Sequence, residues 1–367
     1  MDCFSGNAEA RSAFNRLDSG PGVTNISSMS LEEQFYSSSI YGEWCNDAVK
    51  NEPHGYYVTT PAVAHDLLAF TEAEARLAGR LASDAKLWSY GFSYGSVIGT
   101  TFASMFPDRV GRMVLDGILN ADQYYDNDWR DNVDQMDAAM AKFSSLCHSA
   151  GPEKCSFWGP SPANITARID GIISQLQNHP VPISGLQSRD LLPTLVTISD
   201  LKALFINTIY TPLSSFSGMA NTLHQFEHGN ASALAGMFED SLRITYDVGV
   251  VIRCVDSYRR NKLATIEEFR GFVQYAVSKS KYTGDIWPVY AETILCESFL
   301  PQLPDSMVFQ GKQSSLSPLS SPICEADHFL LRCIGPIGSL DEPTSFPILF
   351  ASNTIDPITP LKSYVFR

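Results

Sequence analysis

No run of apolar residues reaches the roughly 18 needed to cross a bilayer as a helix, so the 367-residue chain holds no candidate membrane span. The opening stretch from Met1 to Asn7 lacks the basic and apolar segments of a secretory leader. No two cysteines are separated by two intervening residues, the spacing of zinc sites, so no metal is expected. Positive charge is scarce: 26 Lys and Arg face 40 Asp and Glu, a net charge of −14. Such a chain repels phosphate backbones and anionic lipid headgroups, which argues against nucleic acid or a membrane surface as partner. Internal repeats are also lacking.

What is present reads as a folded globule, with 44% hydrophobic and 18% charged residues. The length suits one large domain, or a domain carrying an insertion. There are eight cysteines. Cys147 and Cys155 bracket a short loop with a Gly-Pro turn, and a disulfide is expected there.

Residues 1–55 are polar, with weak periodicity, and read as loop and short helices. From Thr59 to Ser83 one helix is expected, with Thr60 as its cap and Pro61 in its first turn. Val63, Leu67, Phe70, Ala73 and Leu77 give it one apolar face. A strand over Lys86–Tyr90, a turn over Gly91–Gly95, a helix over Val97–Met105 and a strand over Val110–Leu115 follow. That order is a βαβ unit, which predicts a parallel sheet covered on both faces. Residues 120–335 read as mainly helical, with stretches at Val133–Phe143, Ile165–Leu176, Asp200–Ile209 and Ile266–Val277. Ser314–Pro322 reads as a linker, and Phe346–Ala351 as a returning buried strand.

Gly91-Phe92-Ser93-Tyr94-Gly95 matches Gly-x-Ser-x-Gly, set between a strand and a helix. A hydroxyl there must project from a sharp turn, and the flanking Gly91 and Gly95 allow the helix to double back on the strand. Ser93 is then the candidate nucleophile, and the backbone N–H of Tyr94 a candidate oxyanion donor.

The stretch from Tyr90 to Gly99 and the stretch from Met105 to Gly117 resemble the tripeptidyl-aminopeptidase-like hydrolases, relatives of the proline iminopeptidases. So do Pro347–Phe350 and Asn353–Leu361. The resemblance implies an α/β-hydrolase fold with a large helical cap, with Asp356 as the acid of a Ser-Asp-His triad. It divides the chain into 1–119 and 336–367 as core and 120–335 as cap. Asp116, at the end of the strand after the elbow helix, is a competitor for the acid. Asp256, in a cap stretch of weaker similarity, is a candidate for holding a substrate's free amine.

In such relatives the histidine follows the acid. Here all seven histidines precede Asp356. His328 is nearest in sequence, and His224 and His228, one helical turn apart, read as a surface pair. Gly20-Pro21-Gly22 follows no apolar strand and reads as an ordinary turn. The first and last core elements are therefore expected to be missing. The reading is a serine hydrolase without cofactor, cleaving short peptides or aminoacyl amides through an acyl-enzyme. The alternatives are an esterase or lactonase acting on a small natural product, and a truncated, inactive homologue. The cysteines favour an oxidising compartment and the opening residues do not, so the location stays open.

Overall fold

The computed structural model describes residues 2–52, 54–186, 192–242, 247–309, 323–327, 330–334, 344–353 and 355–360. The helices α1 (Ala8–Ser19), α2 (Ser30–Val49) and α3 (Thr60–Leu77) lead into β1 (Leu87–Phe92), α4 (Tyr94–Met105) and β2 (Val110–Asp116). Then come α5 (Ala121–Tyr125), α6 (Met136–Ala150), α7 (Pro162–Asn178), a short hairpin of β3 (Val181–Ile183) and β4 (Thr194–Val196), α8 (Ile198–Tyr210) and α9 (Pro212–Glu227). The chain continues through α10 (Met237–Leu242), α11 (Val248–Asp256), α12 (Ile266–Lys279) and α13 (Trp287–Tyr290). A second hairpin, β5 (Ile323–Asp327) with β6 (Leu330–Ile334), precedes β7 (Ile348–Ala351). The expected linker at Ser314–Pro322 lies outside the described residues.

β1, β2 and β7 form a parallel sheet in that order. All three strands therefore end at one rim, which is where the site is built. α3 and α4 cover one face, burying Ala64, Leu87, Phe102, Val110, Met113, Leu115, Ile348 and Phe350 as one cluster. The opposite face departs from the expectation of two covered faces. Trp88, Tyr90 and Phe92 project there and are 68%, 65% and 66% exposed. The Arg112 guanidinium lies 5.0 Å above the Trp88 ring, and the Tyr90 hydroxyl donates to Asp116 Oδ2 at 2.6 Å.

The larger apolar core lies elsewhere. It joins Phe4, Phe14, Phe35 and Tyr41 to side chains of α6, α7, α8, α11 and α12. The residues up to Tyr56 thus share their packing with helices of the 120–335 stretch. They are also more helical than expected. α2 runs for 20 residues, although polar Gln34, Ser38 and Gly42 sit in its buried stripe and hide the apolar period. Disulfides join Cys3 to Cys45, Cys147 to Cys155 and Cys254 to Cys296.

Helix ends follow local chemistry. Thr197 with Asp200, and Thr265 with Glu268, form capping boxes at α8 and α12. α3 is capped by Thr59, which accepts from the Ala62 N–H at 3.3 Å, rather than by Thr60. It stops at Leu77, short of Ser83, because Gly79 takes a left-handed φ of +69°.

Candidate active site

β1 ends at Phe92 and α4 begins at Tyr94, so Ser93 alone makes the turn. Its backbone adopts φ +54° and ψ −119°, a conformation disfavoured for any residue with a Cβ. The Ser93 N–H donates to the Asp116 carbonyl at 3.0 Å, and its own carbonyl accepts from the Ser96 N–H at 2.8 Å. The buried Ser96 hydroxyl donates to the same carbonyl at 2.6 Å and accepts from the Leu119 N–H at 3.0 Å. Ser96 therefore ties the turn to the loop after β2. As the first residue of α4, Tyr94 has a backbone N–H with no intrahelical acceptor, backed by the helix dipole.

The two flanking glycines differ. A Cβ on Gly91 would stand 2.3 Å from the Gly95 carbonyl oxygen, so the strand and helix cross too closely for any side chain. A Cβ on Gly95 would meet nothing within 4 Å. Gly95 contributes the backbone that Gly91 makes room for.

Asp356 closes a tight turn beyond β7. Its Oδ1 accepts from the Ile358 and Thr359 N–H groups at 3.1 and 2.8 Å, and its Oδ2 accepts from Thr359 Oγ1 at 2.9 Å. Its N–H donates to Gln135 Oε1 at 2.6 Å. β7 lies two strand spacings from β1, roughly 10 Å, so the Asp356 turn and Ser93 leave the same rim. Gly117 lies between them at φ +57°; a Cβ there would sit 3.3 Å from Thr359 Oγ1 and 3.4 Å from the Phe92 ring. Asp116 is engaged differently: its Oδ2 accepts from the Tyr90 hydroxyl at 2.6 Å.

Among the described residues no histidine hydrogen-bonds to Ser93 or Asp356. His65 lies edge-on to Phe106, and His148 hydrogen-bonds the Gly159 carbonyl beside Trp158. The His224 and His228 rings are 4.2 Å apart. Among the described residues no group of three or more His, Cys, Asp or Glu side chains is placed to hold a metal. His328 lies outside the described residues.

Asp256 is buried, and its carboxylate is filled from within the protein. Oδ1 accepts from the Thr60 N–H at 2.7 Å; Oδ2 accepts from Thr60 Oγ1 at 2.5 Å and from the Tyr124 hydroxyl at 2.8 Å. Thr60 gives its proton to Asp256, so the Tyr94 hydroxyl, 2.6 Å away, donates to Thr60. Burial pushes the Asp256 carboxyl up to about 6, opposed by the hydrogen bonds from Thr60 and Tyr124. Burial and the Asp256 charge push Tyr94 up to about 12. The network links the end of α11, the start of α3 and the residue after Ser93. Sequence reading missed Thr60, Ser96, Tyr124 and Thr359 in these roles; only the Asp-x-x-Thr spacing at 356–359 carried a local signal.

Residues 62–147 match the model of the alpha/beta hydrolase fold family. Over 255 residues the chain is 28% identical to the serine protease Hip1 of Mycobacterium bovis, covering 64% of this chain and 46% of that protein. The same figures hold for serine protease Hip1 of Mycobacterium tuberculosis strains CDC 1551 and H37Rv. The chain spans about half the length of the curated relatives it matches. It has the α/β-hydrolase fold and is distantly similar to a serine protease.

Proposed function

We propose that this chain carries the nucleophile of a serine hydrolase that cleaves short peptides or aminoacyl amides from a free amino end. Ser93 Oγ attacks the acyl carbon, and the Tyr94 N–H with the α4 dipole stabilises the oxyanion. Asp356 orients a histidine, a role that none of the described histidines fills, which takes the hydroxyl proton and returns it to the leaving amine. Water then releases the acyl group from Ser93. The observation that carries this reading is the backbone of Ser93, held at φ +54° by Ser96 and Asp116 between a strand and a helix. Such strain persists only where surrounding structure imposes it. Likeness to a serine protease supports peptide cleavage, and the amino-end preference rests on the resemblance of the Ser93 and Asp356 motifs to tripeptidyl-aminopeptidase-like hydrolases.

In this reading Asp256 is a positioning residue, since its carboxylate is already occupied by Thr60 and Tyr124. The exposed Trp88, Tyr90 and Phe92 face supports further core elements packing against the sheet. The direct test is labelling by a fluorophosphonate probe. Labelling of the parent and none of Ser93→Ala supports the assignment; equal labelling of both refutes it.

A further inference from the structure

The turn that carries Asp356 is seated differently from the strand that leads to it. β7 is four residues long and packs Ile348 and Phe350 into the small cluster of the sheet. Beyond it, Ile358 packs on the large helical core instead. So short a strand gives a turn beyond its end little purchase, and a second support reaches that turn from the segment between β2 and α6. The Asn132 amide donates to the Ile358 carbonyl, and Gln135 Oε1 accepts from the Asp356 N–H at 2.6 Å. Asn132 is buried, so its bond is shielded from competing water.

The same segment is tied to the turn that carries Ser93. Asn120 Nδ2 donates to Asp131 Oδ2 at 3.0 Å, and the Asp131 N–H donates to Gln123 Oε1 at 3.0 Å. Asn120 Oδ1 caps α5 by accepting from the Gln123 N–H at 3.2 Å. Its chain neighbour Leu119 donates its N–H to Ser96 Oγ, the hydroxyl that holds the Ser93 carbonyl. Hydrogen bonds and short stretches of chain thus run from Ser93, through residues 119–135, to Asp356. This brace bypasses the strands.

Two sets of bonds act on the acid. The Ile358 and Thr359 N–H groups and Thr359 Oγ1 fix the carboxylate within its own turn. Asn132 and Gln135 fix that turn against the rest of the molecule. A reacting group must be held within about 0.5 Å by neighbours that are themselves locked. The first set alone leaves the whole turn free to shift.

We propose that Asn132 and Gln135 are positioning residues that set the distance between the Asp356 carboxylate and Ser93, and so the place where a histidine between them fits. The inference rests on the hydrolase reading above. It deepens that reading by assigning the placement of the acid to the helical part of the chain.

The test measures the rate of fluorophosphonate labelling and the amide hydrogen exchange of the full chain. Gln135→Met and Asn132→Leu keep the size of the side chain and remove the acceptor and the donor. Each is expected to label about tenfold more slowly than the parent. Each should lose exchange protection at Ile358 and Thr359 and keep it at Met113–Asp116 of β2. Gln135→Glu keeps an acceptor oxygen and is expected to recover most of the rate. Labelling at the parent rate in both Gln135→Met and Asn132→Leu overturns the proposal. So does a loss of protection spread evenly over both regions, or no recovery in Gln135→Glu. In each of these cases a labelled parent with an unlabelled Ser93→Ala leaves the hydrolase reading standing. A parent that is not labelled removes that reading and the proposal with it. Should Asn132→Leu fail to fold, the two Gln135 variants carry the comparison, since Gln135 is less buried.

Discussion

The sheet and the helical part hold themselves together by different means. Around β1, β2 and β7 the apolar cluster is small, one face is bare, and backbone hydrogen bonds fix a strained serine. The helical part has a continuous core stapled by three disulfides. Chemistry constrains the first region residue by residue, while packing constrains the second only in sum. Changes in the sheet should therefore alter reactivity out of proportion to stability, and changes in the helices the reverse.

The sharpest case is Ser93→Ala, which is expected to abolish fluorophosphonate labelling with no loss of melting temperature; a large fall in melting temperature would break the contrast. Replacing Cys254 and Cys296 together by alanine tests the other side. Freeing that 42-residue separation should cost about 4 kcal/mol in denaturant unfolding, with Ser93 still labelled under native conditions.

Asp18→Asn comes next. In the folded chain the Asp18 carboxyl keeps its proton to about pH 7, against an ordinary value of 3.8. Its contribution to stability is therefore full below 3.8 and is lost as pH rises towards 7. The asparagine variant should be more stable than the parent at pH 8 by about 3 kcal/mol, with the gap narrowing by pH 5.5, as read from unfolding curves. A pH-independent difference would contradict the burial of an unpaired carboxylate.

Gly91→Ala forces a Cβ against the Gly95 carbonyl and should cost about 2 kcal/mol together with most of the labelling. The mildest change is Thr60→Val. It removes the hydroxyl between Tyr94 and Asp256 and should cost about 1 kcal/mol, while slowing labelling about tenfold through the displaced Tyr94. Unchanged labelling there would make the network purely structural.

Legibility in the sequence follows the same division. The elbow could be read because a projecting hydroxyl needs glycine at one particular crossing, and Gly91 is that residue. The strands flanking it could be read as short apolar runs bounded by turn residues, even though Trp88, Tyr90 and Phe92 of β1 are exposed. α2 could not: the Gln34 amide N–H and the Ser38 hydroxyl donate to the Gly22 and Phe35 carbonyls, and Gly42 makes way for Ser298, so a buried stripe looks polar. The cap of α3 was displaced by one residue because Thr59 and Thr60 are both competent, and only the tertiary contact with Asp256 separates them. Cys147 and Cys155 are neighbours along the chain, whereas the partners of Cys3 and Cys254 lie beyond what spacing can reveal.

The bare aromatic face has a consequence for handling the protein. Its tendency to self-adhere is opposed by a surplus of fourteen negative charges, and that opposition disappears near the isoelectric point of about 4.9. Acidification to that value should turn clear solutions cloudy. Substituting Trp88 and Phe92 by lysine should keep them clear by removing the adhesive surface and moving the point of zero charge together.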